Sequence, residues 1–311
     1  MVSRLRVRRW VRVVVVLLVL GCAGLALRAR WAEAGAALAA LPPWTVAAAL
    51  AAAMAGLGAQ LLAWRALLAD LGSPLPLPVA ARVMFVGQLG KYLPGSVWAF
   101  VAQVELARDR EVPRRRGAAA TVLAVAVTLV VNLLVAAVLL PLAAAEAAQR
   151  WWWVLGCVPF LLAVLHPRVV TWLLHRALRL AGRLRADADP ELDRLGGRGM
   201  AAAVGWSLAS WGPLGVHVWL LTAGVGGGWD SWAAATGGYA LAWTLGVVAV
   251  FAPAGLGVRE AVLVAALAPV LDPGSALVVA ALSRLVMTAA DLLWALLCLA
   301  VVRSPALPEP R

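Results

Sequence analysis

Apolar residues run along this chain in long blocks, separated by short polar or glycine- and proline-rich stretches. Blocks over 13–27, 44–68, 117–142, the stretch ending near Leu165, 200–222, 231–251 and 276–302 approach or exceed the roughly 18 apolar residues that mark a membrane-crossing helix. The pattern predicts an all-α polytopic membrane protein with about 7–8 transmembrane helices. Arg4, Arg6, Arg8, Arg9 and Arg12 precede the first block, which places the N-terminus in the cytoplasm. Arg28 and Arg30 follow it before any small-residue cleavage site, so the block reads as a retained span. A short external segment ends at Pro42-Pro43. Asp70, Gly72, Pro74, Pro76 and Pro78 mark a loop after the second span.

Two segments break the pattern. Residues 83–106 are apolar but carry Gly87, Gly90, Pro94 and Gly95, and both flanks, Arg82 and the Arg108–Arg116 loop, are basic. Basic flanks on both sides predict a re-entrant helical hairpin that enters and returns, turning near Leu93-Pro94-Gly95. The second break is Ala252-Pro-Ala-Gly-Leu-Gly-Val-Arg-Glu260, followed by the 11-residue apolar segment Ala261–Leu271, half a full crossing. If residues 258–271 are re-entrant there are seven spans and the tail lies outside; if they cross there are eight and it lies inside. Gly212-Pro213 is read as an interruption of the 200–222 span. Trp151-Trp152-Trp153 reads as an aromatic belt. Residues 166–199 hold seven arginines against Asp187, Asp189, Glu191 and Asp193 and form a basic cytoplasmic loop, whose 169–184 portion suits an interfacial amphipathic helix. Residues 1–302 thus form one membrane domain, with a disordered tail at 303–311.

Composition narrows the chemistry. The chain is 64% hydrophobic, with a mean hydropathy of +0.90, which excludes a soluble fold. The net charge of +12 reflects arginine-rich loops and not nucleic-acid binding. Cys22, Cys157 and Cys298 sit in apolar blocks without metal-ligand spacing. His166, His175 and His217 are scattered, and no HExxH, Walker A or GxSxG motif occurs. No catalytic set, metal or cofactor is expected, and with no nucleotide site there is no sign of ATP-driven transport.

Candidate chemistry therefore centres on the breaks. Lys91 is the sole lysine in the chain; it either snorkels to the interface or contacts an anion. Tyr92 and Trp98 read first as interfacial anchors and second as ligand contacts. Pro94 and Gly95 mark the structural turn. In the second break Glu260 opens a half-helix whose N-terminus carries unpaired N–H groups and partial positive charge, and Arg259 adds a fork of donors. Their bland reading is a salt bridge that fixes the break. Arg284 and Asp291, seven residues apart, share one face of the last helix. A lone carboxylate at the position of Asp291 costs about 3 kcal/mol unless it pairs with Arg284, Arg259 or Lys91. Asn132 reads as an interhelical hydrogen bond. Glu105 reads as a partner of Arg108 at the cytoplasmic edge. A break with a cation in each half is the pattern of repeat-built transporters with a site at the midplane.

Gly90-Lys-Tyr-Leu-Pro-Gly-Ser-Val-Trp98, followed much later by Pro253-Ala-Gly-Leu-Gly-Val-Arg-Glu260, resembles the lysylphosphatidylglycerol synthase transmembrane (flippase-like) domain family, over about residues 10–302. Ala254 stands where a glycine is usual. The resemblance implies an inner-membrane domain with re-entrant helices that moves lipids between leaflets. In multidomain relatives the module is joined to a cytosolic synthase; other relatives are linked to polyprenyl-phosphate sugars. With the sequence ending at Arg311, a stand-alone module is expected and the synthesis activity is not carried over. The matching positions Lys91, Pro94, Gly95, Gly255, Gly257, Arg259 and Glu260 become the expected head-group site, with Tyr92, Trp98, Arg284 and Asp291 beside them. The expected function is translocation or handling of an anionic phospholipid or polyprenyl-phosphate-linked lipid in the cytoplasmic membrane, with anionic lipids as partners. The rival expectation is a non-transporting scaffold for a separately encoded glycosyltransferase or lipid synthase.

Overall fold

The computed structural model describes residues 31–92, 98–143, 159, 196–249 and 255–301. The expected first span, the Trp151–Trp153 belt, most of the 166–199 loop, the 303–311 tail and residues Pro94, Gly95, Pro253 and Ala254 lie outside the described residues. In chain order the helices are α1 (Trp31–Ala40), α2 (Pro43–Asp70), α3 (Leu77–Gln88), α4 (Trp98–Arg108), α5 (Arg114–Leu142), α6 (Gly197–Gly224), α7 (Trp232–Val248), α8 (Val258–Leu267) and α9 (Pro273–Val301). Short 3-10 turns at Leu89–Tyr92 and Trp229–Ser231 complete the set. No strand occurs among the described residues.

Among the described residues, three helices, α2, α5 and α9, are long and apolar enough to cross a membrane. At 28 or 29 residues each, and about 1.5 Å per residue, they exceed a hydrocarbon core of about 30 Å. This is a membrane protein built from helices. Local signals set the helix ends. Pro43 occupies the first turn of α2, where its missing N–H is no loss. At the other end Gly72 takes φ +74°, and the Ser73 N–H donates to the Leu68 carbonyl at 3.0 Å while the Gly72 N–H donates to Ala69, the bonds of a Schellman cap. Asp272 caps α9 by accepting from the Ser275 N–H at 2.9 Å.

Two expectations are corrected. The stretch before Pro42 is not merely a short external segment: its alanine-rich sequence forms α1, as alanine's helix propensity favours. Gly212-Pro213 does not interrupt its helix, because α6 runs through Pro213. Packing supports the helix there. A Cβ on Gly56 of α2 would lie 2.6 Å from Leu214 Cγ, so the residue after the proline is keyed into a glycine notch of the neighbouring helix. The ends of α2 and α6 are also tied, since the Asp70 carboxylate accepts from the Gly196 N–H at 2.6 Å, next to the positive end of α6.

The short helices matter most for function. α3 and α4 have 12 and 11 residues, about 16–18 Å each, and pack against one another. A Cβ on Gly87 would lie 2.9 Å from Gln103 Cα, and one on Gly90 would lie 2.7 Å from Ala99 N. The pairs converge toward the intervening residues, so α3 and α4 are antiparallel arms in backbone contact, as expected of a hairpin. α9 braces this unit: Phe85 of α3 stacks on Trp294 at 4.7 Å and 7°, and the Trp294 indole N–H donates to Met54 O on α2 at 3.0 Å. α7 lies deep in the bundle, buried continuously from Ala234 to Ala240, against α5, α6 and α8.

Candidate functional site

Both breaks open onto one cavity of about 310 Å³. Its walls come from α2 to α5, α7 to α9 and the Leu89–Tyr92 turn. Apolar residues such as Leu57, Met84, Trp243 and Met287 share its lining with Gln60, Gln88, Gln103 and Thr128. The charged lining comprises Lys91, Arg259, Arg284, Glu260 and Asp291, three cations against two carboxylates.

The first break delivers Lys91. α3 tightens into the 3-10 turn at Leu89–Tyr92, which aims two consecutive side chains at α9. Lys91 Nζ lies 2.6 Å from Asp291 Oδ2. The Tyr92 hydroxyl donates to the same oxygen at 2.6 Å. Tyr92 is thus more than an interfacial anchor, because its ring is exposed while its hydroxyl closes on a buried carboxylate. Asp291 has 3% of its side chain exposed and Lys91 has 33%, so the carboxylate is hidden and the ammonium is reachable. Asp291 Oδ1 is buried with no hydrogen-bond partner. Of the three cations offered to Asp291 by the sequence, Lys91 takes it.

The second break delivers Arg259. Gly255 and Gly257 have φ of +68° and +85°, the left-handed region that favours glycine. Gly257 N-caps α8, and its N–H donates to Glu260 Oε2 at 2.7 Å, one half of a capping box. Glu260 Oε1 accepts from Arg284 Nη1 at 2.6 Å. The expected salt bridge at this break is therefore real, but it uses Glu260 with Arg284 and leaves Arg259 outside it. The Arg259 stem lies over Gly246 and Gly255, where a Cβ would meet its Cγ or Cδ. Its guanidinium donates to the Tyr239 hydroxyl at 3.0 Å and sits 5.6 Å from that ring's centre. Among the described residues, no carboxylate pairs with Arg259.

Behind Arg259 lies a polar network that sequence reasoning missed. Tyr239 meets the His217 ring edge-on at 4.7 Å. The buried His217 bonds through Nε2 to Ser283 Oγ at 3.0 Å and through Nδ1 to the Leu214 carbonyl at 2.5 Å. Trp211, beside Tyr239, donates to Asn132 at 3.0 Å, the interhelical bond expected of Asn132. No spacing rule announces a histidine, a serine and a tyrosine on three helices; a buried polar side chain mid-helix was the available signal.

Trp98 begins α4, is 49% exposed and does not line the cavity. Gly257 holds the helix start and is likewise off the lining. Pro94 and Gly95 are outside the described residues. Glu105 lies apart from the cavity and is held by Arg114 and Arg108. No group of three or more metal-ligating side chains occurs among the described residues.

The model of the lysylphosphatidylglycerol synthase TM region family matches residues 9–295. The chain belongs to this family. The match spans both breaks and all the cavity-lining residues, so the lysylphosphatidylglycerol synthase TM region is the cavity-bearing bundle itself. Comparison with individually curated proteins gave no match.

Proposed function

We propose that this member of the family is a lipid translocator of the cytoplasmic membrane, and that the cavity receives the anionic head group of a phospholipid or a polyprenyl-phosphate-linked lipid. The observation that carries the reading is the convergence of Lys91 and Arg259, from breaks about 170 residues apart in sequence, on one cavity. A guanidinium faced by a hydroxyl and an aromatic ring, without a carboxylate, is free to take a phosphate through paired N–H donors. The volume sits at the low end for small-molecule sites, about 300–1,000 Å³; it suits a head group and leaves the acyl chains in the bilayer. The short α3–α4 hairpin and α8 act as re-entrant elements, since broken backbone at membrane depth is tolerated where it lines a polar cavity. Movement is passive or driven by a gradient.

The test is leaflet exchange of labelled anionic lipid in proteoliposomes. Arg259→Ala, and Lys91→Ala combined with Asp291→Asn to avoid a bare carboxylate, each slow transfer by on the order of tenfold or more, the loss of one charge-assisted contact, while still folding. Transfer at the wild-type rate by both variants overturns the reading. A purified wild type that moves no lipid but retains a stoichiometric soluble enzyme favours the scaffold role instead.

A further inference from the structure

The Lys91–Asp291 pair has a consequence for what else the cavity binds. Asp291 is buried on α9, and its charge is balanced through one oxygen only, by Lys91 and the neutral Tyr92 hydroxyl. The other oxygen has no partner. The other two cations lining the cavity have contacts of their own. Arg284, on α9 itself, is engaged by Glu260 of α8, and Arg259 of α8 is engaged by Tyr239 of α7. From α6 the nearest titratable group is His217, behind Tyr239. α2, α3, α4 and α5 face the cavity with neutral groups, among them Gln60, Gln88, Gln103 and Thr128. Arg82 of α3 acts on Cys298 further along α9, and α1, also packed on α9, buries Ala34 and Ala37.

An anion held at Arg259 can also engage Lys91, because the ammonium is a third exposed and the carboxylate behind it is not. Once the flexible lysine turns to the anion, Asp291 is a buried carboxylate that has lost its paired cation and keeps only the neutral Tyr92 hydroxyl as a hydrogen-bond donor. Such a group neutralises itself by taking up a proton instead of remaining charged. We infer that Asp291 is a proton-binding site linked to the head-group site: an anion that draws Lys91 away from Asp291 leaves the carboxylate to bind one proton, so that head group and proton load the cavity together. The charge balances. One negative charge enters with the head group, one positive charge enters with the proton, and the lysine changes partner. By reciprocity, protonation of Asp291 frees Lys91 and raises anion affinity by the same factor. The inference rests on the head-group reading above and adds to it a coupling ion.

The experiment uses the full chain in phosphatidylcholine proteoliposomes with tagged phosphatidylglycerol added to the outer leaflet and a pH-sensitive dye trapped inside. Phosphatidylglycerol is a phosphodiester and does not itself titrate between about pH 5 and 9, where phosphate monoesters do. Wild type is expected to acidify the lumen as the lipid moves inward. Its transfer rate is expected to fall with rising external pH, approaching tenfold per unit where one proton is taken up per lipid. Asp291→Asn is expected to flatten this profile and abolish acidification, whereas Glu105→Gln, an exposed change outside the cavity lining, keeps the pH slope. Lipid transfer by wild type with a flat profile and no acidification overturns the proton site and leaves the translocator reading intact. No transfer by wild type at any pH overturns both. Sulfate is the second probe: proton uptake on sulfate but not on phosphatidylglycerol keeps the proton site and overturns the lipid head group as its partner. The wild-type measurement decides the matter even if Asp291→Asn fails to fold.

Discussion

Lys91 and Arg259 reach the same cavity from breaks built in different ways. At the first, glycine lies against backbone: Gly87 and Gly90 let α3 and its 3-10 extension touch the backbone of α4, and the cation that follows is locked onto a buried carboxylate. At the second, Gly246 lies against a side chain: together with Gly255, which also touches the Gly246 backbone, it forms a shallow bed for the stem of Arg259, and the guanidinium ends on a ring and a hydroxyl. Glycine, proline and a cation thus encode two devices. One is a joint whose charge is held closed; the other is a cradle whose charge is held open.

The sharpest way to break this contrast is to remove each cation in turn and measure stability separately from transport. Lys91→Ala leaves Asp291 buried and alone. The loss is expected at about 2–3 kcal/mol, below the 3–5 typical of a fully buried pair because Lys91 is one-third exposed. Adding Asp291→Asn is expected to restore most of the stability and none of the transport. Arg259→Ala removes a bond to a neutral hydroxyl and is expected to cost about 1 kcal/mol, yet to lose transport as fully. Thermal unfolding in detergent, read beside leaflet exchange, checks both. If Arg259→Ala proves the more destabilising change, the closed and open descriptions are reversed.

The glycines sharpen the same contrast with a smaller effect. A Cβ at position 90 would lie 2.7 Å from Ala99 N, and backbone cannot move aside without parting the hairpin. Gly90→Ala is expected to cost about 1–3 kcal/mol. At Gly246 the atoms in the way belong to the Arg259 stem, which can swing. Gly246→Ala also gains helix propensity within α7, so its stability is expected to change by less than about 1 kcal/mol while lipid transfer falls with the displaced guanidinium. Equal destabilisation by the two substitutions would erase the distinction between joint and cradle.

The elements were legible in the sequence to different depths for physical reasons. Long apolar blocks and breaks announce themselves, because burial in lipid leaves no alternative composition; hence α2, α5 and α9, and the paired arms around Pro94-Gly95, appear where expected. The charge pairing was not legible. Arg284 and Asp291 share a helix face, but pairing is decided by what faces them, and Glu260 and Lys91 stand opposite from distant parts of the chain. Pro213 misled because its cost is local, whereas the compensation, Leu214 in the notch at Gly56, is tertiary. The His217–Ser283 contact joins residues 66 positions apart, and nothing in local spacing foretells it.

The smallest expected effect provides the control for the largest. Glu105 accepts from Arg114 Nε at 3.0 Å and Nη2 at 2.9 Å, a better-formed pair by geometry than Lys91 with Asp291. Both partners are solvent-exposed, so water and salt already screen the attraction. The hydrogen bonds from Arg114 hold the Glu105 carboxyl below its ordinary range. A depressed carboxyl contributes above its unfolded-state value, and the contribution is lost as pH falls through the folded-state value. Glu105→Gln is therefore expected to leave thermal unfolding nearly unchanged at pH 7. What difference there is should vanish in acid or in 1 M salt, whereas the Lys91→Ala defect should survive that salt because its carboxylate is shielded from counterions. A salt-sensitive Lys91→Ala defect would mean that Asp291 is hydrated after all, and the distinction between the two pairs would then rest on geometry alone.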